Sequence, residues 1–206
     1  HQIWLLNYSG ETETAESLAE HTIPLADAKG VRPFVRTLRL AWSYALRMNG
    51  KAREAERLLA DLPDPRLGDF DEDENFLSES AAVKLAASDA QAALDLADRG
   101  LAAFQRIRLQ VDPALSDLHV TRGQALLALK RPAEAREEFR IADDFWRGYD
   151  PDSHWAAEAG YWLVRARIET GEVATGTPML WAARVRLAKS PMPLHQRLAV
   201  AADGAR

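Results

Sequence analysis

Apolar residues in this chain recur three and four positions apart rather than every second position. Leu38, Trp42, Ala45 and Leu46 fall on one helical face, as do Leu118, Ala125, Leu126 and Leu129. No stretch shows the strict alternation rich in β-branched residues that marks a strand. The spacing predicts helices over about 1-9, 12-28, 33-49, 51-62, 73-87, 89-109, 113-129, 132-147, 154-170, 177-189 and 192-202. Pro33, Pro113, Pro132 and Pro191 stand where a first helical turn begins, a position at which the missing N–H of proline costs nothing. Thr177 followed by Pro178 gives the same signal for the tenth helix.

The pattern repeats. Segments Gly10 to Ala15, Gly50 to Ala55, Ser88 to Ala93, Lys130 to Ala135 and Gly171 to Gly176 align without gaps, with starts 40, 38, 42 and 41 residues apart. Most copies open on a turn-compatible residue, every copy closes on Ala or Gly, and a large apolar residue follows: Leu18, Leu58, Leu96, Phe139 and Leu180. Each unit reads as helix, tight turn, helix. The small residue has a steric reason, because two helices approach closely only where no bulky side chain intervenes. Self-similarity at such a period is the signature of a stacked array of hairpins.

These residues resemble the tetratricopeptide repeat family, whose unit is a helical hairpin with small residues at two close-contact positions. Gly123 with Ala135, followed by Phe139 and Ala142, carries the resemblance best; Ser43 with Ala55 and Ala81 with Ala93 repeat the pair. Tyr149 to His154, ahead of a helix, is similar to the linker of long-period, kinesin light chain-like repeats, which also occur in bacterial regulatory proteins. In the last hairpin Val164 stands where the small residue belongs. The resemblance implies an all-α, right-handed α-solenoid of about five antiparallel hairpins forming one domain over 1-206. The repeats are expected at about 1-30, 31-70, 71-110, 111-150 and 151-190, the first one truncated, with a capping helix at 191-203. A chain that opens on His1 with a shortened first hairpin is expected to be a piece of a longer protein. The family register places Leu40, Tyr44, Arg47, Asn75, Ser78, Asp117, Val120, Gln124, Glu158, Tyr161 and Arg165 on a concave partner-binding face, with Tyr44, Tyr161 and Arg165 as anchors.

Composition narrows the function. The 47% hydrophobic and 28% charged residues suit a folded domain. Absence of cysteine removes disulfides, thiolate metal sites and thiol nucleophiles. No run of about 18 apolar residues is present, so no membrane contact is expected of this stretch. The formal charge of -5 sits mainly between residues 61 and 80, which hold eight acids and one base. The remainder is nearly neutral, which argues against sequence-independent binding of nucleic acid. The 21 arginines against 5 lysines suggest a GC-rich bacterial genome. A cytoplasmic location is expected, or a periplasmic one if a membrane segment precedes the chain.

Four features invite chemistry. Asp69, Asp71 and Asp73 alternate as in a calcium loop, but Glu74 and Ser80 stand where that loop needs Gly and Glu, so the acids read as helix-start residues and no metal is expected. His1, His21, His119, His154 and His195 show no metal-ligand spacing and no partner for a nucleophilic serine. Arg32, Arg36 and Arg39 line one helical face and read as a solvated stripe facing acidic residues of the next repeat. Four of six tryptophans, Trp146, Trp155, Trp162 and Trp181, gather in the last third and read mostly as packing residues. No enzyme and no cofactor are expected. The reading is a protein- or peptide-binding scaffold, the interaction or sensor domain of a larger bacterial regulator. Self-association as a homodimer is the alternative. Small-ligand sensing ranks lowest and requires a deep apolar pocket near Trp155 and Trp162.

Overall fold

A computed structural model describes residues 1-29, 32-62, 72-107 and 112-201. Among them the chain forms helices and no strand. Five hairpins follow one another: α1 (Gln2–Tyr8) with α2 (Thr12–Ala28), α3 (Arg32–Met48) with α4 (Ala52–Ala60), α5 (Glu72–Ala86) with α6 (Ala90–Ile107), α7 (Pro113–Ala128) with α8 (Pro132–Tyr149), and α9 (His154–Glu169) with α10 (Val173–Ala188). A last helix, α11 (Pro193–Ala201), completes the chain.

The five turns inside the hairpins are copies of one device. Gly10, Gly50, Ser88, Lys130 and Gly171 all have positive φ, between 62° and 105°. At each turn the amide of that residue bonds back three positions, and the next amide bonds back five: Gly10 to Asn7 and Glu11 to Leu6, through to Gly171 to Ile168 and Glu172 to Arg167. This pair of bonds satisfies carbonyls that a helix end leaves without partners. Ser88 and Lys130 adopt the left-handed conformation at a cost that glycine avoids.

Close packing then follows from the small residues. Ala15, Ala55, Ala93 and Ala135 have no exposed surface, and Gly176 is buried. A Cβ on Gly123 would lie 2.6 Å from the Phe139 ring, and one on Gly176 would lie 2.5 Å from the Ile168 side chain. Around these gaps the core runs as linked clusters, the largest joining Ala93, Leu126, Phe139, Trp146 and Leu163 across α6 to α9. Ser43 and Asn7 are fully buried. Each spends its polar group on a neighbouring hairpin, Ser43 donating to Glu79 and Asn7 to the Ala41 carbonyl.

Two expectations at helix starts need correction. α10 begins at Val173 rather than near Thr177, so Pro178 lies inside it. Contact of Gly176 with Ile168 keeps the first turn helical, and the Thr177 hydroxyl donates to the Val173 carbonyl at 2.8 Å. Pro193, not Pro191, opens α11. Asp112 and Ser153 cap α7 and α9 by accepting from the amides of Ala114 and Ala156.

Helix α11 does more than cover the last hairpin. Its Leu198 and Ala199 pack with Tyr161 and Leu187, while the segment leading into it reaches the first two hairpins. The Pro191 carbonyl sits where a Cβ on Gly10 would lie only 2.5 Å away. Met192, with no exposed surface, joins Trp4, Tyr44 and Met48. Arg197 donates to the Met48 carbonyl at 2.8 Å across 149 positions of sequence, and the rings of Tyr8 and Trp155 meet at 5.9 Å. The solenoid therefore closes on itself. No helix among the described residues is long and apolar enough to cross a membrane.

Candidate binding chamber

Closure bounds a half-open cavity of about 830 Å³ whose wall is built mainly from the first helix of each hairpin. A helix presents residues three, four and seven apart on one face. α3 accordingly contributes Leu40, Tyr44 and Arg47, and α7 contributes Asp117, Val120, Thr121 and Gln124. α5 adds Asn75, Ser78 and Glu79; α9 adds Trp155, Glu158 and Trp162. Trp4 and Tyr8 from α1 and Leu194, His195 and Arg197 from α11 finish the wall. Four of the six tryptophans line it.

Nine of the eleven positions read from the family register lie on this wall: Leu40, Tyr44, Arg47, Asn75, Ser78, Asp117, Val120, Gln124 and Glu158. Tyr161 and Arg165 do not. Tyr161 is 1% exposed and packs under α10 and α11 with Ala157, Leu187 and Ala199. Arg165 donates to the Tyr161 hydroxyl and lies over the Trp162 ring. α9 carries packing partners on that flank, so its chamber stripe runs through Trp155, Glu158 and Trp162 instead. Trp4, Tyr8, His195 and Arg197 were not anticipated, because only the closure across the whole chain brings them to the wall.

An ion pair and a carboxylate–imidazole hydrogen bond organise the polar part. Arg47 grips Glu79 with two hydrogen bonds, 3.2 Å from Nε and 2.8 Å from a terminal nitrogen, and Ser43 donates to the same carboxylate. Burial opposes the Arg47 charge, but Glu79 more than compensates and holds its pKa above the usual arginine value. The guanidinium also lies 4.9 Å over the Tyr44 ring. Across the chamber, Glu158 bonds His195 at 2.9 Å and accepts from Trp162 and Gln124. Burial pushes the Glu158 carboxyl up, yet His195 and its hydrogen bond bring it below the ordinary range. Burial lifts the Tyr8 hydroxyl to about 12, with the Asp117 and Glu79 charges adding to the effect, and it also raises Tyr44.

Asp117 differs from both pairs. Burial, and then the Glu158 charge, push its pKa up to about 7 against a partial offset from Arg47. No hydrogen bond to its carboxylate is present among the described residues.

His195 has partners on both sides, contrary to the isolated histidines expected from spacing: Ser190 Oγ lies 2.9 Å from Nδ1, and Glu158 lies 2.9 Å from Nε2. The series has the order of a nucleophile relay, but Ser190 is 4% exposed and does not line the chamber. Its oxygen accepts the Met192 amide, so it shapes the turn into α11. Neighbouring His154 is pushed down to about 4 by burial and by His195.

Other sequence candidates fall elsewhere. Arg36 lies over Phe76 and Arg39 pairs with Asp27 at 3.6 Å, so both serve joints between hairpins; the Arg32 side chain lies outside the described residues. Asp69 and Asp71, and the side chain of Asp73, also lie outside them. No cluster of three potential metal ligands occurs among the described residues.

Comparison with known proteins adds the following. No family model matches the chain, and no curated protein does. Two crystal structures of a putative kinesin light chain of Podospora anserina with nearly identical TPR-like repeats, the first of them a point variant, superpose with TM-scores of 0.62 and 0.59. Each superposition covers 91% of this chain and 92% of the other, at 19% and 18% identity. The fold is that of tetratricopeptide-like repeats. In this tetratricopeptide-like solenoid the first helix of each hairpin faces inward, and the chamber occupies the inner surface that the stacked hairpins share.

Proposed function

We propose that the chain is a non-catalytic recognition module that takes a compact organic group into its chamber, as a free small molecule or as the end of a partner chain. The observation that carries this reading is the closure by Met192 and Arg197, which turns an open groove into an aromatic-walled space of about 830 Å³. Ligand pockets typically span roughly 300-1,000 Å³ and combine apolar walls with a few placed polar groups. A long peptide running the length of the array suits an open solenoid better than a closed one. In a larger regulatory protein this module would supply the sensing or interaction step. Ligand-observed NMR with a library of aromatic fragments and short blocked peptides tests the reading. Hits should compete with one another and weaken in Val120→Trp, whose indole intrudes into the chamber; an absence of hits, or hits indifferent to the intrusion, refutes it.

Self-association is a second reading, favoured by one observation. Met179, Trp181 and Val185 on the outer face of α10 are 43%, 65% and 42% exposed. Light scattering across concentration tests it, and a strict monomer excludes it.

A further inference from the structure

Acidic side chains outnumber cations on the chamber wall. Glu79, Asp112, Asp117, Asp150 and Glu158 stand against Arg47, Arg197 and the imidazole of His195. Most of these groups are already committed. Arg47 is held by Glu79, His195 by Glu158, and Arg197 by the Met48 carbonyl; Asp112 caps α7. Asp150 is exposed at the end of α8, which leaves Asp117 as the exception. Its carboxylate faces the chamber one turn from Val120 and Thr121, within electrostatic reach of Glu79, Glu158, Tyr8 and Tyr44, and no donor among the described residues meets it. A partly buried carboxylate beside other carboxylates is disfavoured, and folded chains ordinarily supply a countercharge. Here the wall offers aromatic rings instead, of which Tyr44 already carries the Arg47 guanidinium over its face. Trp155 stacks on Trp146 at 5.6 Å and meets Tyr8 edge-on, and Trp4 meets Tyr44 at 5.8 Å. Aromatic faces attract cations, most strongly where water is excluded.

We propose that the chamber selects an organic cation, an ammonium or guanidinium group that seats against Asp117 while its apolar part lies along Tyr8, Tyr44 and Trp155. The assignment rests on the chamber being the ligand site. An anion finds a poorer seat, because Arg47 and His195 already hold carboxylates and Arg197 is tied to the Met48 carbonyl.

Three probes of nearly one shape test the charge: phenethylammonium, 2-phenylethanol and 3-phenylpropanoate, titrated into the protein by isothermal calorimetry. The cation should bind about tenfold more tightly than the alcohol and the anion more weakly than either. In Asp117→Asn the preference for cation over alcohol should shrink to about twofold. Equal affinities in the wild type, or tighter binding of the anion, overturn the charge assignment and leave the chamber as a neutral site. No binding by any of the three at millimolar concentration overturns the assignment together with the chamber reading. The wild-type series decides the point even if the variant fails to fold. A further pair, Nα-acetyl-lysine amide and its Nε-acetylated form, separates sources: preference for the former supports a cation carried on a chain, and preference for phenethylammonium alone supports a small molecule.

Discussion

The joint between α7 and α8 and the seam between α11 and the first two hairpins hold the molecule together in opposite ways. At the joint, Lys130 turns the chain, Ala135 leaves room, and Gly123 lets Phe139 lie flat against α7, all within 20 residues. At the seam, Met192 and Arg197 meet Tyr44 and Met48 across almost the whole chain, with no copy elsewhere among the described residues. Joints come in five similar versions, so the stack tolerates damage to one. The seam is made once, and the chamber depends on it.

Gly123→Val strikes the joint directly. A Cβ there already meets the Phe139 ring, so the variant should lose about 3 kcal/mol in urea unfolding, with helix content falling as the joint opens. Met192→Ala should cost about 2 kcal/mol if seam and array unfold together. Its more telling result is a loss of fragment binding with far-UV circular dichroism retained. Unaltered binding in Met192→Ala would show that the seam does not form the chamber.

The third prediction concerns acid. With its pKa near 7, Asp117 loses most of its charge as pH falls from 8 to 6, so phenethylammonium affinity should drop by about threefold over that window. Glu158, Arg47, Glu79 and Asp112 face the same carboxylate, and His195 faces Glu158. Asp117→Asn should flatten the profile, which separates Asp117 from the His195 pair. The same shift bears on stability. The folded-state value lies above the unfolded value of 3.8, so the folded chain holds the proton more tightly. Stability from this group therefore declines as pH rises from about 4 to about 7 and is constant above. At pH 8 Asp117→Asn should stabilise the protein by on the order of 1 kcal/mol, reduced by solvent at the chamber mouth.

The smallest effect sharpens the account of the joints. Lys130 has φ of 62°, and Lys130→Gly should raise stability by about 1 kcal/mol, whereas Gly50→Ala at φ 81° should lower it by a similar amount. Equal melting temperatures in both variants would remove the left-handed corner from the explanation of the repeat.

Local rules made much of this architecture legible. The residues that opened the five aligned segments, glycine or not, are the ones with positive φ, and the residues that closed them are buried against a neighbouring helix. Turn chemistry and steric gaps act over a few positions, so the pattern of types records them. Helical spacing likewise put Asp117, Val120 and Gln124 on one face, although their part in binding awaits the cation series. What stayed hidden depends on distance. The pairing of His195 with Glu158 spans 37 positions, and the seam spans 149. Gly176 and Pro178 read as a helix start until contact with Ile168 fixes them one turn further in. Tyr161 looked like a wall residue until α10 and α11 covered it.

Closing a flexible coil onto its own beginning changes its mechanics. An open solenoid absorbs a change of pitch by letting its far end swing free, but a fastened one has no free end. A small twist at any corner is shared around the circumference and appears at the fastening by Met192.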